Sequence, residues 1–235
     1  MHEVLQKFFS PHAFRVSLPD VWTGFQLNLK LMVIAEVLVL VLALAIAVVR
    51  GLPGRGATPL RALAIVYTDV FRGTPLILVA FLVGFGLPGL NIKGLSTLSN
   101  FTYGVIALTL VYTAYVTEVY RAGIESVHPS QRMAARSLGL SYWQAMRYVV
   151  IPQAVRRVIP PLLNDFVGLQ KDTALVTVIG VAESVQQAQQ FSQNNFNFTS
   201  YVVAAVFFIL LTIPLARFTD HLIRIRERRE RAQLT

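Results

Sequence analysis

Apolar residues dominate five long stretches of this chain, near residues 25–49, 59–87, 103–122, 149–169 and 201–223. About 20 apolar residues in an α-helix are enough to cross the hydrocarbon layer of a membrane. Each stretch reaches that length, although polar residues interrupt the second and the fourth. The pattern therefore predicts an all-α integral membrane protein with five transmembrane helices.

The composition supports a membrane protein, and the absence of long linkers indicates a single membrane domain. Of the 235 residues, 54% are hydrophobic and 14% are charged, and the mean hydropathy is +0.57, outside the range of ordinary soluble domains. No repeat or long linker divides the chain, so we expect one membrane domain over 25–223. Residues 1–24 should form an extracytoplasmic segment, amphipathic enough to lie on the membrane surface. Residues 224–235 should form a basic cytoplasmic tail.

The basic residues indicate the orientation. Fifteen of the 21 Lys and Arg fall at one set of span ends: Arg50, Arg55, Arg61, Arg121, Arg132, Arg136, Arg147, Arg156, Arg157, Arg217, Arg224, Arg226, Arg228, Arg229 and Arg231. Cytoplasmic loops carry the excess of positive charge. With five spans, the N-terminus is then predicted outside and the C-terminus in the cytoplasm.

Other readings of the charge and of the polar residues are weaker. A net charge of +9 is also typical of nucleic-acid-binding proteins, but here the charges sit at span ends and in the tail, so no nucleic-acid partner is expected. The chain has no cysteine, and its four histidines are scattered, so no metal site is predicted.

The loop at 51–58, GLPGRGAT, is rich in glycine and ends in a hydroxyl residue, as phosphate-binding loops do. It lacks the lysine of such loops, and it follows an apolar span where a strand is required. We interpret it as a tight cytoplasmic turn. The chain is therefore not expected to hydrolyse ATP or to bind a cofactor itself.

A polar helical segment separates the third and fourth spans, within 124–147. Residues 130–138 can form a short helix whose Ala134 and Ala135 allow another surface to approach, and Gly139 supplies a left-handed residue to end it. Ser141 and Gln144 have the spacing of a capping box that starts a second helix. The pattern predicts a knob for a partner's groove, or else a plain helical connection.

The second stretch is interrupted by FRGTP at 71–75, which contains Arg72 and Thr74. A charge at membrane depth is unfavourable unless it faces a protein interior or water, so it marks a candidate functional site. Two alternatives to a functional role are open for Arg72. It can extend its charged end to the membrane surface, or pair with a structural carboxylate.

Further polar residues lie in and after the third and fourth spans. Glu118 and Arg121 are three positions apart on one helical face, so an intrahelical ion pair is possible. Asn164 and Asp165 should face a cavity, because unpaired polar groups are unfavourable in lipid. Lys171, Asp172 and Thr173 offer a cation, an anion and a hydroxyl to a zwitterion; the alternative is a local Lys–Asp pair with a Thr cap.

Taken together, these motifs resemble permeases of the polar amino acid uptake family of ABC importers. The likeness covers about 60–87 and 103–186 and rests on four ordered motifs: FRGTP at 71–75, YTAYVTEVYRAGIESV at 112–127, the loop with Ala134, Ala135, Gly139, Val149, Ile151 and Pro152, and the segment with Pro160, Asn164, Asp165, Lys171, Asp172 and Thr173. Glu183 also falls where that family has a Glu. Met133 stands in place of the Glu that opens the family's loop motif.

The resemblance implies a five-helix permease core in a bacterial inner (plasma) membrane. It implies a substrate path for a polar amino acid or similar zwitterion, with candidate residues Arg72, Thr74, Glu118, Asn164, Asp165, Lys171, Asp172 and Thr173. Candidate contacts to the ATPase are Ala134, Ala135, Ser137, Leu138, Gly139 and Leu140. Implied partners are a cytoplasmic ATPase dimer that holds ATP and Mg²⁺, a second permease chain, identical or homologous, an extracytoplasmic solute-binding protein, and the surrounding lipid.

Two other classes of function stay open from the residues alone. An ion-coupled secondary transporter or channel would work without an ATPase, but no inverted repeat is visible. An intramembrane enzyme would need a nucleophile–base or paired-carboxylate arrangement, and none is evident. Glu36, in the first span, departs from the family pattern and is expected at a subunit interface or at the cavity.

Overall fold

The computed structural model describes residues 2–52 and 54–232, with side chains for 3–52 and 54–225, so most arginines of the predicted tail lie outside the described side chains. The first helices are α1 (His2–Phe8) and α2 (Pro11–Arg50). Ser10 caps α2 by accepting a hydrogen bond from the Ala13 amide, and Pro11 occupies the first turn, where its missing N–H is not needed. Helix α2 therefore starts before the predicted boundary at residue 25, and only α1 forms a separate segment.

The second apolar stretch forms a broken helix. A 3₁₀ turn (Arg55–Ala57) leads into α3 (Thr58–Gly73), which is followed by α4 (Leu76–Phe81), a π-helical segment (Leu82–Gly86) and α5 (Leu87–Gly89). The axes before and after the break differ by 106°. Thr74 is extended because the ring of Pro75 disfavours a helical residue before it. The bend lies within FRGTP, the motif that interrupts the predicted span 59–87 in the sequence.

The remaining helices follow in chain order. They are α6 (Asn100–Glu125), α7 (Pro129–Ser137), α8 (Tyr142–Ala145), a π-helical segment (Met146–Val150), α9 (Ile151–Asp172), a 3₁₀ helix (Thr173–Ile179), α10 (Ser184–Asn195) and α11 (Thr199–Ala232). Within the described ranges the chain forms helices and loops, without strands, which confirms the all-α fold class.

Helix α6 lies at the centre of the bundle. It packs against α2, α3, α4 and α9, and Ala107, Leu108 and Ala114 are fully buried along it. The main core joins Ala107 and Leu108 to Leu31 and Ala35 of α2 and to further side chains of α4, α9 and the 3₁₀ helix Thr173–Ile179. Because α6 carries Glu118 near its C-terminal end, the central packing fixes that carboxylate between neighbouring helices.

Several helices are suited to a membrane. Within the described residues, 3 helical stretches are long and apolar enough to cross one: Glu3–Arg50, Asn100–Glu125 and Thr199–Ile225; the bent pair Arg55–Gly73 and Leu76–Gly89 makes a fourth if it is one span. Large apolar side chains on α2 and α11 are exposed, as expected of a surface that faces lipid. Helix α9, the predicted fourth span, is not among them, since it carries charged residues and prolines. The count of five stays a prediction.

Candidate functional site

A cavity of about 1080 Å³ opens beside the C-terminal end of α6. It is bordered by α6, α9 and α11 and by the last residues of α3. Six of its side chains are acidic or basic: Arg72, Glu118, Arg121, Arg156, Arg157 and Asp165. Apolar side chains such as Ile159 and Leu222 complete the wall. The cavity therefore offers groups of both signs to a small ligand, and it contains three of the predicted path residues.

Glu118 joins three arginines, and we call Arg50, Arg72, Glu118 and Arg121 the Glu118 cluster. Arg121 donates to Glu118 Oε2 from Nε at 2.9 Å, and its Nη2 lies 2.7 Å from the same oxygen. Arg50 donates to Glu118 Oε1 and also to Thr68 Oγ1 at 3.1 Å. Arg72 Nη1 lies 4.0 Å from Glu118 Oε2. The possible Glu118–Arg121 ion pair is confirmed.

Sequence reasoning did not find Arg50. It is the last residue of α2, 68 positions from Glu118, and it had been counted only among the basic residues at span ends. The cluster forms because α2 and α3 both end beside α6. A buried or half-buried carboxylate held by several guanidinium groups is a stronger arrangement than an exposed ion pair.

Arg72 and Thr74 lie at the break between α3 and α4. The Arg72 side chain is 44% exposed and lines the cavity, whereas the Thr74 hydroxyl donates to Val70 O at 2.8 Å. Of the three acidic residues among the candidate path residues, Glu118, Asp165 and Asp172, Glu118 is the one within 4.0 Å of Arg72. Arg72 is thus placed toward the cavity, while the Thr74 hydroxyl is used within its own helix.

The polar residues of α9 are divided between surfaces. Asp165 lines the cavity, and its Oδ2 is buried without a hydrogen-bond partner among the described residues. Asn164, next to it, is exposed. An unpaired buried carboxylate oxygen in a membrane protein is costly, so it points to a missing donor.

The structure separates the last three candidate path residues. Asp172 accepts a hydrogen bond from the Tyr112 hydroxyl at 2.8 Å. Thr173 is fully buried and donates to Gln170 O at 2.7 Å. Lys171 is exposed in a groove formed with α10 and α11. Lys171 and Asp172 form no ion pair among the described residues, so the structure does not gather the three around one ligand position.

A second buried group surrounds Glu183, and we call Asn28, Thr173, Glu183 and Ser184 the Asn28 network. Asn28 Nδ2 donates to Glu183 Oε2 at 3.0 Å and to Thr173 Oγ1 at 3.1 Å. Asn28 Oδ1 accepts from the Ser184 amide at 3.1 Å and from its hydroxyl at 2.7 Å. Every member is at most 2% exposed. The network joins α2 to the start of α10 and to the end of α9.

Glu183 also caps α10. Its carboxylate accepts from the Val185 and Gln186 amides, both at 2.9 Å. Burial raises the pKa of Glu183, and these hydrogen bonds oppose that rise. At this point α2 and α10 are so close that a Cβ on Gly24 would lie 2.6 Å from the Glu183 carbonyl carbon. Asn28 gave no functional signal in the sequence, since its partners lie more than 140 positions away.

The segment after α6 has the local structure that the sequence predicts. Gly139 has a φ of +85° and ends α7, and Ser141 and Gln144 form the predicted capping box. Ala134, Ser137, Leu138 and Gly139 are exposed, Leu140 is half-buried, and Ala135 is buried inside the chain. Ala135 therefore supports the segment, and the side chain of Leu138, 85% exposed, projects from it.

Comparison with known proteins gives consistent results. The profile of the family described as binding-protein-dependent transport system inner membrane component matches residues 52–227. A probable glutamine ABC transporter permease protein of Bacillus subtilis, GlnM, is 38% identical over 165 residues, 70% of this chain and 74% of that protein. The arginine transport system permease protein ArtQ of the same organism is 33% identical over 198 residues, 83% of this chain and 88% of that protein.

Solved structures show the same fold. The crystal structure described as an amino acid ABC transporter with histidines aligns with a TM-score of 0.80 at 34% identity, over 88% of this chain and 94% of that chain. The MetNI methionine ABC transporter in an inward-facing conformation aligns with a TM-score of 0.69 over 92% of this chain and 99% of that chain. At 16% identity, the second alignment shows likeness of fold alone.

Proposed function

The chain belongs to the family of inner membrane components of binding-protein-dependent transport systems, and we propose that it forms the translocation path for a polar amino acid or similar small zwitterion. The observation that carries the proposal is the cavity beside α6, where Arg72 and Asp165 offer opposite charges. A cavity of about 1080 Å³ slightly exceeds the volume of ordinary small-molecule sites, which span about 300–1,000 Å³, so it has room for an amino acid.

The proposed complex contains two permease chains, identical or homologous. A cytoplasmic ATPase dimer supplies ATP and Mg²⁺, and an extracytoplasmic solute-binding protein delivers the substrate. Transport follows from alternating access, in which closure of the ATPase dimer shifts the permease pair between inward-open and outward-open states. The permease itself contributes the path and the surface that receives the ATPase.

The proposed topology has five spans, with the N-terminus outside and the C-terminus in the cytoplasm. Helix α9 is the span that hydropathy alone does not support. Its 22 residues extend about 33 Å, which is enough to cross the hydrocarbon layer. Its Asp165 and Arg157 line the cavity and so avoid lipid. Cavity-facing charge explains how a span of low hydropathy is tolerated.

Uptake by the reconstituted complex tests the function. Proteoliposomes that hold the permease, its ATPase and its solute-binding protein should accumulate labelled L-arginine, L-glutamine or L-glutamate only when ATP is enclosed with the ATPase. Uptake that follows an ion gradient without ATP would instead favour a secondary transporter. Absence of uptake for every polar amino acid tested would contradict the proposal.

Cysteine accessibility tests the path, because the chain has no cysteine of its own. Tyr115→Cys and Ile159→Cys, at exposed positions of the cavity wall, should react with a charged, membrane-impermeant thiol reagent in inside-out vesicles. Val37→Cys is the matched control. It is more exposed than either test position, at 57% against 38% for Tyr115 and 41% for Ile159, but it lies on the apolar surface of α2, where lipid excludes the thiolate that reacts. Equal reactivity at all three positions would contradict a water-filled path.

We further propose that the segment 124–147 docks on the ATPase. The exposed residues Leu138, Met133 and Trp143 support this, since large apolar side chains at a polar surface are typical of protein contacts. Gly139→Val should cost about 1–2 kcal/mol at a left-handed position and turn α7 away. ATPase docking, measured by co-purification, should weaken while membrane insertion is retained. Unchanged docking and ATP turnover would contradict this role.

A further inference from the structure

The three arginines of the Glu118 cluster do not share its carboxylate equally. Oε1 of Glu118 accepts from Arg50, and Oε2 receives Arg121 through two guanidinium nitrogens. Arg72, at 4.0 Å, is within ion-pair range but beyond hydrogen-bond distance. Both oxygens are therefore occupied by other arginines, and the donors of Arg72 are left for another acceptor.

Exposure distinguishes the arginines in the same way. The Arg50 side chain is 13% exposed, and its second hydrogen bond, to Thr68 Oγ1, ties it to α3. The Arg72 side chain is 44% exposed and lines the cavity. Among the described residues, the ion pair of Arg72 is that with Glu118 alone. Arg121 also lines the cavity and its side chain is 37% exposed, but it pairs with both Glu118 and Glu125. Arg72, which is beyond hydrogen-bond distance of Glu118, is thus the arginine of the cluster that presents its charge to a ligand.

We infer that Arg72 binds the carboxylate of the transported molecule and that Arg50 is a positioning residue, which holds Glu118 away from Arg72 and so keeps Arg72 free to bind. This inference rests on the proposed function. The planar guanidinium donates two parallel hydrogen bonds to a carboxylate, a geometry that lysine lacks. If Arg50 were removed, Oε1 would lose its partner and Glu118 could turn to Arg72, which would then be neutralised.

The competing explanation is that Arg72 serves only to balance Glu118. Without Arg72, the two guanidinium groups of Arg50 and Arg121 still donate hydrogen bonds to the carboxylate of Glu118, although Arg121 also pairs with Glu125. Glu118 therefore needs no further cation from Arg72. The competing role predicts that loss of Arg72 lowers stability without changing which ligands bind.

The test measures ligand binding to the detergent-solubilised permease–ATPase complex without the solute-binding protein. The probes are labelled L-arginine, L-glutamine and L-glutamate, each compared with its α-carboxamide, by equilibrium dialysis. The wild-type complex should bind at least one acid about tenfold or more tightly than its amide, since a charge-assisted pair is lost in the amide. Arg72→Met should reduce this ratio to about one, and Arg72→Lys should retain part of it.

The positioning role is tested by combining substitutions. Arg50→Met should reduce the acid-over-amide ratio as Arg72→Met does, and Arg50→Met with Glu118→Gln should restore it. Arg50→Met added to Arg72→Met should change nothing further. The matched control is Arg61→Met at the same end of the bundle, because Arg61 donates to Leu52 O, Gly54 O and Thr58 and does not contact Glu118. This control should keep the wild-type ratio.

The outcomes separate the two levels of the hypothesis. A wild-type ratio in Arg72→Met, or no recovery in the Arg50→Met, Glu118→Gln pair, would overturn the inference while leaving the transport function intact. ATP-driven uptake together with no binding of any probe at millimolar concentration would also overturn it. No ATP-driven uptake of any amino acid by the wild-type complex would instead reject the proposed function.

Discussion

Two positions on α2, one near its middle and one at its C-terminal end, bring different kinds of partner to a glutamate. Asn28, near the start of the apolar part of α2, donates to Glu183, which also accepts from backbone amides. Arg50, 22 residues or about 33 Å further along the helix, pairs with Glu118 in a group of three arginines. Glu183 is fully buried, whereas the Glu118 side chain is 15% exposed and lines the cavity.

The Asn28 network is a fixed structural contact, whereas the ion pairs of the Glu118 cluster can exchange partners. In the Asn28 network each donor meets an acceptor at hydrogen-bond distance, so a change in any member leaves a buried group unpaired. In the Glu118 cluster one carboxylate faces more cations than it can satisfy, so its partners can be exchanged at modest cost. The first arrangement suits a fixed joint between helices, and the second suits a site that meets a charged ligand.

The largest effect on stability is expected from Asn28→Ala. It removes four hydrogen bonds at once and leaves Glu183, Thr173 and Ser184 with fewer partners in a fully buried site. We expect the free energy of unfolding to fall by about 3 kcal/mol. Denaturant titration in mixed detergent micelles measures it.

The control for this change is Asn195→Ala. Asn195 is exposed and donates to Phe191 O at 2.9 Å within its own helix, so its loss should stay within about 0.5 kcal/mol. Equal effects of the two alanine variants would show that the Asn28 network is not the joint described above.

A smaller effect is expected from Glu183→Gln. The new amide places an N–H₂ group opposite one of the donors that Glu183 now receives, and this should lower stability by about 1–2 kcal/mol. The matched control is Glu125→Gln. The Glu125 side chain is 61% exposed, and among the described residues its one ion pair is with Arg121. The free energy of unfolding should therefore change little.

The pH dependence of stability gives a second measurement on the same variant. Burial raises the native pKa of Glu183 above its ordinary value of 4.5, so the native state holds the proton more tightly than the unfolded chain does. The wild-type protein should therefore lose part of its stability as the pH rises from 4.5 through the raised native pKa. Glu183→Gln should lack that decrease, and an unchanged pH profile would contradict the assignment.

Glu118→Gln should have a smaller effect on stability, about 1 kcal/mol, because Arg72 and Arg121 retain access to water at the cavity and Arg50 keeps its hydrogen bond to Thr68. The fraction of ATP-driven uptake that this variant loses should exceed the fraction of stability that it loses, because the electrostatic potential of the cavity changes. If Glu118→Gln destabilised the protein as strongly as Asn28→Ala, the contrast between the Asn28 network and the Glu118 cluster would fail.

The smallest effect is expected from salt. Raising the ionic strength screens the charges at the open cavity but not the dry Asn28 network. The stability difference between wild type and Glu118→Gln should therefore shrink by a few tenths of a kcal/mol, whereas that between wild type and Glu183→Gln should stay constant. Parallel denaturant titrations at low and high sodium chloride would measure both differences, and equal salt sensitivity would count against the comparison.

Several local features could be predicted from the sequence because they depend on neighbouring residues. The Glu118–Arg121 pair spans three positions of one helix, the Ser141–Gln144 capping box spans three, and Gly139 takes the left-handed conformation that ends α7. The break at Pro75 was signalled by Gly73 and Pro75, but its 106° angle was not. The family motifs were found in the same way, as ordered runs of residues.

The tertiary structure decided which distant groups meet. Arg50 reaches Glu118 across 68 positions, Asn28 reaches Glu183 across 155, and Tyr112 reaches Asp172 across 60. Hydrophobic periodicity assigns a residue to a helix and a face, but it does not say which two faces pack together. The amino-acid sequence by itself therefore determined the helical membrane protein and its motifs. The packing of α2 against α6 and α10 decided which glutamate became a joint and which became part of the cavity, because those contacts form only when distant helices pack.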